Sequence, residues 1–199
     1  SGTDALMMSL WATGISKGDE VITSPISFIA SASSIIHVGA KPVFVDVKED
    51  LNINPDLIEK AITKKTKAIM PVHWTGRVCN MDKIKKIAKK YNLLVIEDAA
   101  QAMGAYYKKK HAGTFGNISA FSTHPLKNLN ALGDGGFVTT NNKKYYEKIK
   151  YLSLQAKNDV INFIHNEVGY NFRMSNIHAA IGLAQIYSLK NILKKRKKI

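Results

Sequence analysis

The chain has 199 residues, 45% of them hydrophobic, which is enough for one well-buried α/β domain or for a domain with part of another. A single cysteine, Cys79, excludes an internal disulfide framework, and no apolar run reaches bilayer-spanning length, so no membrane partner is expected and a reducing, cytoplasmic setting fits. The formal charge of +14 would suit a phosphate backbone, but most lysines fall on the polar faces of helical stretches such as KIKKIAKKY and KKYYEKIKY, so no specific nucleic-acid partner is expected.

In chain order, residues 3–13 read as a helix introduced by Ser1-Gly2 and stopped at Gly14, EVIT (20–23) as a short strand, and SFIASASSIIHV (27–38) as a small-residue helix stopped at Gly39. PVFVDV (42–47) is a strand. Asn54 and Pro55 form a cap and first-turn pair for the helix DLIEKAIT, TKAIMPVH (66–73) is a strand, and the amphipathic helix MDKIKKIAKKY (81–91) leads into the apolar strand LLVIE (93–97). From 104 to 140 short strands are separated by glycines (GAYY, KKKHAG, NISAF, GGFVTT), and helices return at 142–153 and 176–199. This alternation predicts an α/β fold with a largely parallel sheet covered on both faces, the shorter strands forming an antiparallel insertion or edge. The opening SGTDAL has neither a Met start nor a signal-peptide layout, and the last helix has no Gly or Pro stop, so the sequence reads as cut at both ends.

Ligands in an open parallel sheet lie beyond the carboxyl ends of strands and near helix starts. Three segments fall there. Gly2 and Thr3 open a helix whose first N–H groups and positive dipole end suit a phosphate, although the same residues could form an ordinary cap. In LLVIEDAAQA, Glu97 and Asp98 stand at the end of a buried strand and point to opposite sides; each needs a donor or cationic partner, and Asp98 could instead cap the following segment. In FSTHPLKNLNALGDGG, Ser122 ends a strand and Lys127 follows Pro125. Leu126, Leu129 and Leu132 around Lys127 predict partial burial, which favours a nucleophilic amine able to form a Schiff base with a carbonyl carbon. An anion cradle, a carboxylate and an activated lysine together match the requirements of pyridoxal 5'-phosphate.

With these residues in place, the sequence resembles the DegT/DnrJ/EryC1/StrS family of sugar aminotransferases. SGTDALMMSL, GDEVITSPISFIAS, GAKPVFVDV, TKAIMPVHWTGR, VIEDAAQAMGA, AFSTHPLKNLNALGDGG and GYNFRMSNIHAAIGLAQI carry the resemblance over essentially the whole chain. It implies a three-layer α/β/α fold with a mostly parallel mixed sheet, that of the fold type I pyridoxal-phosphate transferases. Residues 1–188 would be the large, cofactor-binding domain lacking an N-terminal segment, and 189–199 the start of a linker helix to a C-terminal small domain.

The resemblance further implies that Lys127 carries the cofactor and shuttles protons, that Asp98 pairs with the pyridine nitrogen, that Gln101 lies beside the phenolic oxygen and that Phe28 stacks on the ring. Phe28 would otherwise read as core. Gly2, Thr3 and Ser122 match the phosphate cradle, Asn171 matches an asparagine reaching the phosphate from a neighbouring subunit of a homodimer, and His124 matches a position facing the sugar. The implied reaction is ping-pong transamination from L-glutamate to a nucleotide-linked keto-deoxysugar, for surface polysaccharide or amino-sugar biosynthesis. GDGG resembles members acting on 3-keto sugars and His124 those acting on 4-keto sugars, so the position aminated stays open. The remaining histidines, among them His73, show no metal-ligand spacing, and Trp74 and Arg77 read as loop residues with a structural role. Two alternatives remain: a pyridoxamine-phosphate-dependent sugar dehydratase relative, whose members replace the lysine by histidine, and a cofactor-binding or regulatory module without turnover.

Overall fold

The computed structural model describes residues 1–159, 161–196 and 198. Helix α1 (Gly2–Ala12) starts at Ser1, whose Oγ accepts the Asp4 N–H at 3.2 Å. Strand β1 (Glu20–Thr23), helix α2 (Ala30–His37) and strand β2 (Lys41–Phe44) follow. Helix α3 (Pro55–Ala61) has Pro55 in its first turn and the Asn54 side chain accepting the Asp56 N–H at 3.0 Å. Strand β3 (Thr66–Ile69), a 3-10 turn at Trp74–Gly76, helix α4 (Met81–Lys90) and strand β4 (Leu94–Asp98) come next. The chain continues through β5 (Tyr106–Tyr107), β6 (Lys110–His111), β7 (Ile118–Ser122), β8 (Gly136–Thr139), α5 (Lys143–Ser153), β9 (Lys157–Asp159), β10 (Ile164–His165) and α6 (Asn176–Arg196).

Six strands form one sheet in the order β2-β1-β3-β4-β7-β8. All neighbours are parallel except β7 and β8, so the antiparallel edge lies where the glycine-separated strands predict it. Alternation along each strand sorts the core into two sides. Val21, Ala68, Ile96 and Ile118 pack with Leu6 and Leu10 of α1 and Ile35 of α2. Ile22, Ile69 and Val95 pack on the other face with Ile58 of α3 and Ile84 and Ile87 of α4. Burial of each such side chain stabilises the fold by about 1.5–3 kcal/mol, and the result is the three-layer α/β/α arrangement.

Several boundaries differ from expectation for local reasons. Helix α2 begins at Ala30 and not at Ser27, because the Ser24 hydroxyl takes the Ile26 N–H at 3.1 Å and holds a turn after β1. Phe28 is therefore outside the helix and 66% exposed. β2 stops at Phe44, after which Val47 turns to bridge Ile53, and β3 stops at Ile69, leaving a single bridge from Val72 to Asp98. The β9–β10 hairpin was not expected: its strands are too short for a period, and its turn is held by the Asp159 carboxylate, which accepts the Ile161 and Asn162 N–H groups at 2.7 and 2.9 Å. Helix α6 is unbroken across position 188/189, and the end of the expected linker helix, at Lys197 and Ile199, lies outside the described residues. No described helix is long and apolar enough to cross a membrane.

Candidate active site

A cavity of about 430 Å³ opens beyond the carboxyl ends of β4 and β7, against the start of α1 and the turn after β1. Gly2, Thr3, Phe28, Asp98, Gln101, Ser122, His124 and Lys127 all line it. Asp98 and Ser122 are brought together because β4 and β7 are adjacent and in register, with Asp98 opposite Ala120, and the start of α1 joins them where Gly2 packs on Ser122.

Strand alternation sends Asp98 to the α1–α2 face, where it is 5% exposed. Its Oδ2 accepts the Ser31 hydroxyl at 2.5 Å and its Oδ1 the Ala100 N–H at 3.1 Å. Burial pushes its carboxyl above the usual 3.8, against the opposing pull of those two bonds and of His73 and Lys127. A buried carboxylate with this environment has room for one more cationic donor.

Glu97 points the other way and is fully buried. Its Oε1 accepts the Phe115 and Gly116 N–H groups at 2.7 and 2.5 Å and the Ser119 hydroxyl at 3.2 Å, and its Oε2 accepts from Gly113 N–H at 2.8 Å and His73 at 2.9 Å. The Cys79 N–H donates to His73 Nδ1 at 3.3 Å, so the ring proton sits on Nε2 and is donated to Glu97. His73 is thus a satisfied core histidine. The 113–116 loop approaches so closely that a Cβ on Gly116 would stand 2.6 Å from the Val95 carbonyl oxygen.

Lys127 is half-buried in a turn closed by its N–H to the His124 carbonyl at 2.8 Å. The expected apolar surround is corrected: Leu129 is buried, but Leu126 and Leu132 are 79% and 69% exposed. Leu126 lies in the turn after Pro125 and Leu132 in a separate bend after Ala131, where no regular spacing turns consecutive residues inward. Among the described residues, Lys127 Nζ joins no ion pair or hydrogen bond.

At the opposite wall, Gly2 packs on Ser122 so tightly that a Cβ on Gly2 would meet the Ser122 Cβ at 2.7 Å. The Ser122 Oγ accepts the His124 N–H at 3.3 Å and keeps its own proton to donate. The Gln101 Oε1 accepts the Thr75 N–H at 2.8 Å, which leaves its NH2 group as the free donor. His124 is exposed, with Nδ1 accepting the Leu126 N–H at 3.3 Å, so its Nε2 carries the remaining proton.

Asn171 does not reach this cavity. It pairs with Leu154 in an isolated bridge and lines an adjoining cavity of about 540 Å³ that shares Ser1, Asp134 and Gly135 with the first. Trp74 and Arg77 line neither; their backbone groups bond the Asn52 side chain. Among the described residues no cluster of His, Cys, Asp or Glu is placed to hold a metal ion. The sequence reading missed Ser27 and Ser31. Their spacing of four, entering a helix, was the available signal that both face one side.

Fold and cavity define an α/β protein with an acid, an amine and a helix start converging at the carboxyl edge of a parallel sheet. The chain belongs to the DegT/DnrJ/EryC1/StrS aminotransferase family, whose model matches residues 1–199. It is 44% identical over 200 residues to the GDP-perosamine synthase of Escherichia coli O157:H7, covering 100% of this chain and 55% of the relative. It is 44% identical to a UDP-N-acetyl-3-dehydro-alpha-D-glucosamine 3-aminotransferase of Acidithiobacillus ferrooxidans, covering 91% of this chain and 49% of that one. Among solved structures it matches NtdA from Bacillus subtilis with bound cofactor PMP at a TM-score of 0.89 and 38% identity, over 95% of this chain and 43% of that one. The chain spans about half the length of the curated relatives it matches.

Proposed function

We propose that the protein is a pyridoxal-phosphate-dependent sugar aminotransferase, moving an amino group from L-glutamate to a nucleotide-linked keto-deoxysugar in polysaccharide or amino-sugar biosynthesis. The observation that carries this reading is one cavity joining buried Asp98, the Lys127 amine, unpaired among the described residues, and the Gly2–Ser122 cradle. The named relatives support the substrate class, and the PMP held by NtdA supports the cofactor.

The residues fit the cofactor. Asp98 supplies the acceptor that a protonated ring nitrogen needs, and burial makes that pairing worth having for both partners. Gly2, Thr3 and Ser122 offer N–H and hydroxyl donors to a phosphate at the positive end of α1. The free NH2 of Gln101 suits a phenolic oxygen, and exposed Phe28 offers a ring face. When bound, the cofactor supplies an electron sink for the carbon that loses its proton.

Lys127 Nζ then takes the proton from Cα of the amino donor and, in the second half-reaction, delivers one to the sugar carbon that receives the amine. Glutamate leaves as 2-oxoglutarate and the keto-sugar leaves as an amino-sugar. We assign His124, exposed and lining the cavity, to the sugar. We assign Asn171 to the cavity of a second copy, which makes the working unit a homodimer, and place the enzyme in the cytoplasm in keeping with the buried, reduced Cys79. Keeping Lys127 separates the chain from the dehydratase relatives.

Because Phe28 packs little of the core, Phe28→Ala is expected to leave unfolding stability within about 0.5 kcal/mol of wild type. It should weaken cofactor binding by about tenfold, the worth of an aromatic stack. Thermal unfolding and absorbance titration check the two halves. For the reaction itself, the protein is incubated with cofactor, glutamate and a panel of nucleotide keto-sugars and the products are read by mass. An amino-sugar with matching 2-oxoglutarate is expected, and failure with every acceptor would argue for a different one.

A further inference from the structure

Asp98 ends a short chain of two hydroxyls that stand four residues apart in sequence. Ser31, 1% exposed, donates to Asp98 Oδ2 at 2.5 Å, and its own oxygen lies 2.5 Å from Ser27 Oγ. Counting protons fixes the direction of this chain. An ionised carboxylate only accepts, so the Ser31 proton goes to Asp98, and the Ser27–Ser31 contact must be made with the Ser27 proton. Ser27 lines the cavity, so its hydroxyl is committed inward and presents only lone pairs to a ligand there.

The pair has a physical task. Asp98 sits where burial favours the neutral acid, and a neutral Asp98 could not hold a ring nitrogen protonated. The charged or titratable groups around it are His73, just beyond β3, and, lining the same cavity, Lys127, His124, Asp134 and the amino terminus at Ser1; Glu97 is turned to the other side of the sheet. Neither His73 nor Lys127 forms a hydrogen bond with the Asp98 carboxylate among the described residues, so the short contacts to it come from Ser31 and the Ala100 N–H. With one donor on each oxygen, rotation of the carboxylate is fixed as well.

We propose that Ser31, backed by Ser27, is a positioning residue that keeps Asp98 ionised and oriented for the cofactor's ring nitrogen. This rests on the reading of Asp98 given above. Ser31 acts through Asp98 and touches neither cofactor nor substrate, which separates it from the catalytic residues. Ser27 both lines the cavity and polarises Ser31, so hydrogen bonding changes at the cavity wall are passed to the carboxylate.

The test is a titration of the Asp98 carboxyl in cofactor-free protein carrying aspartate labelled with carbon-13 at Cγ, the signal being assigned by its loss in Asp98→Asn. Ser31→Ala is expected to raise the midpoint by about one to two pH units, the effect of losing one hydrogen bond to a charged group. Ser27→Ala should raise it by less, and Ser31→Thr, which keeps the hydroxyl, should leave it near the wild-type value. A midpoint unmoved in folded Ser31→Ala, or raised as far in Ser31→Thr as in Ser31→Ala, overturns the proposal. If Ser31→Ala does not fold, Ser27→Ala decides, and an unmoved midpoint there overturns the relay. Since the cofactor is absent, failure here leaves the pairing of Asp98 with the ring nitrogen standing; that pairing fails separately if Asp98→Ala binds cofactor with unchanged affinity and spectrum.

Discussion

Lys127→Ala is expected to lower transamination by about three to four orders of magnitude, the worth of a positioned proton-transferring group, while the cofactor-free protein unfolds as wild type does. Catalytic loss without structural loss follows from what the side chain touches. Its amine joins no ion pair or hydrogen bond among the described residues, and the turn that positions it is closed by backbone, through the Lys127 N–H to the His124 carbonyl at 2.8 Å. The flanking Leu126 and Leu132 are exposed, so little core packing depends on this turn. Steady-state rates beside thermal midpoints check it. A variant that keeps a tenth of wild-type activity would move the proton-transfer role to another group.

Replacing Glu97 should do the opposite, destabilising the protein while leaving the chemistry of the folded fraction untouched. The carboxylate gathers three backbone N–H groups, the Ser119 hydroxyl and the His73 Nε2–H, all inside the sheet–loop contact. Glu97→Gln keeps the shape but turns an NH2 group toward donors, which costs about 3–5 kcal/mol and about 10 °C or more of thermal midpoint.

The pH dependence has a definite sign. Burial pushes this carboxyl up, but the His73 bond and the Gly116 and Gly113 N–H bonds outweigh it, so it titrates below its usual 4.5 in the folded state. Its contribution is therefore complete above about pH 4.5 and is lost as pH falls through the lower folded-state value. The stability gap between wild type and Glu97→Gln, measured by urea unfolding, should be full at pH 7 and shrink in the acid range. A gap that ignores pH would show that the charge is not what matters.

The parts of the fold written in local pattern were legible from the sequence. MDKIKKIAKKY alternates at helical spacing and becomes α4, LLVIE becomes β4, and Asn54-Pro55 caps α3. Strand alternation also sufficed to send Glu97 and Asp98 to opposite faces. What escaped the sequence was set by tertiary contact. The five donors around Glu97 come from His73 beyond β3, from β7 and from the 113–116 loop, and no local spacing announces them. Ser27 and Ser31 lay inside a stretch read as one helix; their spacing of four could show that they share a side, but the path from Ser27 through Ser31 to a carboxylate 67 residues beyond Ser31 is set by tertiary contact. The surround of Lys127 failed because apolar residues in a turn carry no period to say which face they take.

The central claim is that Lys127 is the cofactor-bearing lysine among the 29 basic residues of the chain. The protein is mixed with pyridoxal phosphate at a small molar excess, reduced with borohydride, digested and examined by peptide mass spectrometry. The account predicts one dominant label, on the peptide FSTHPLKNLNALGDGG at Lys127, lost in Lys127→Ala. No label there, or label spread evenly over surface lysines, would contradict it.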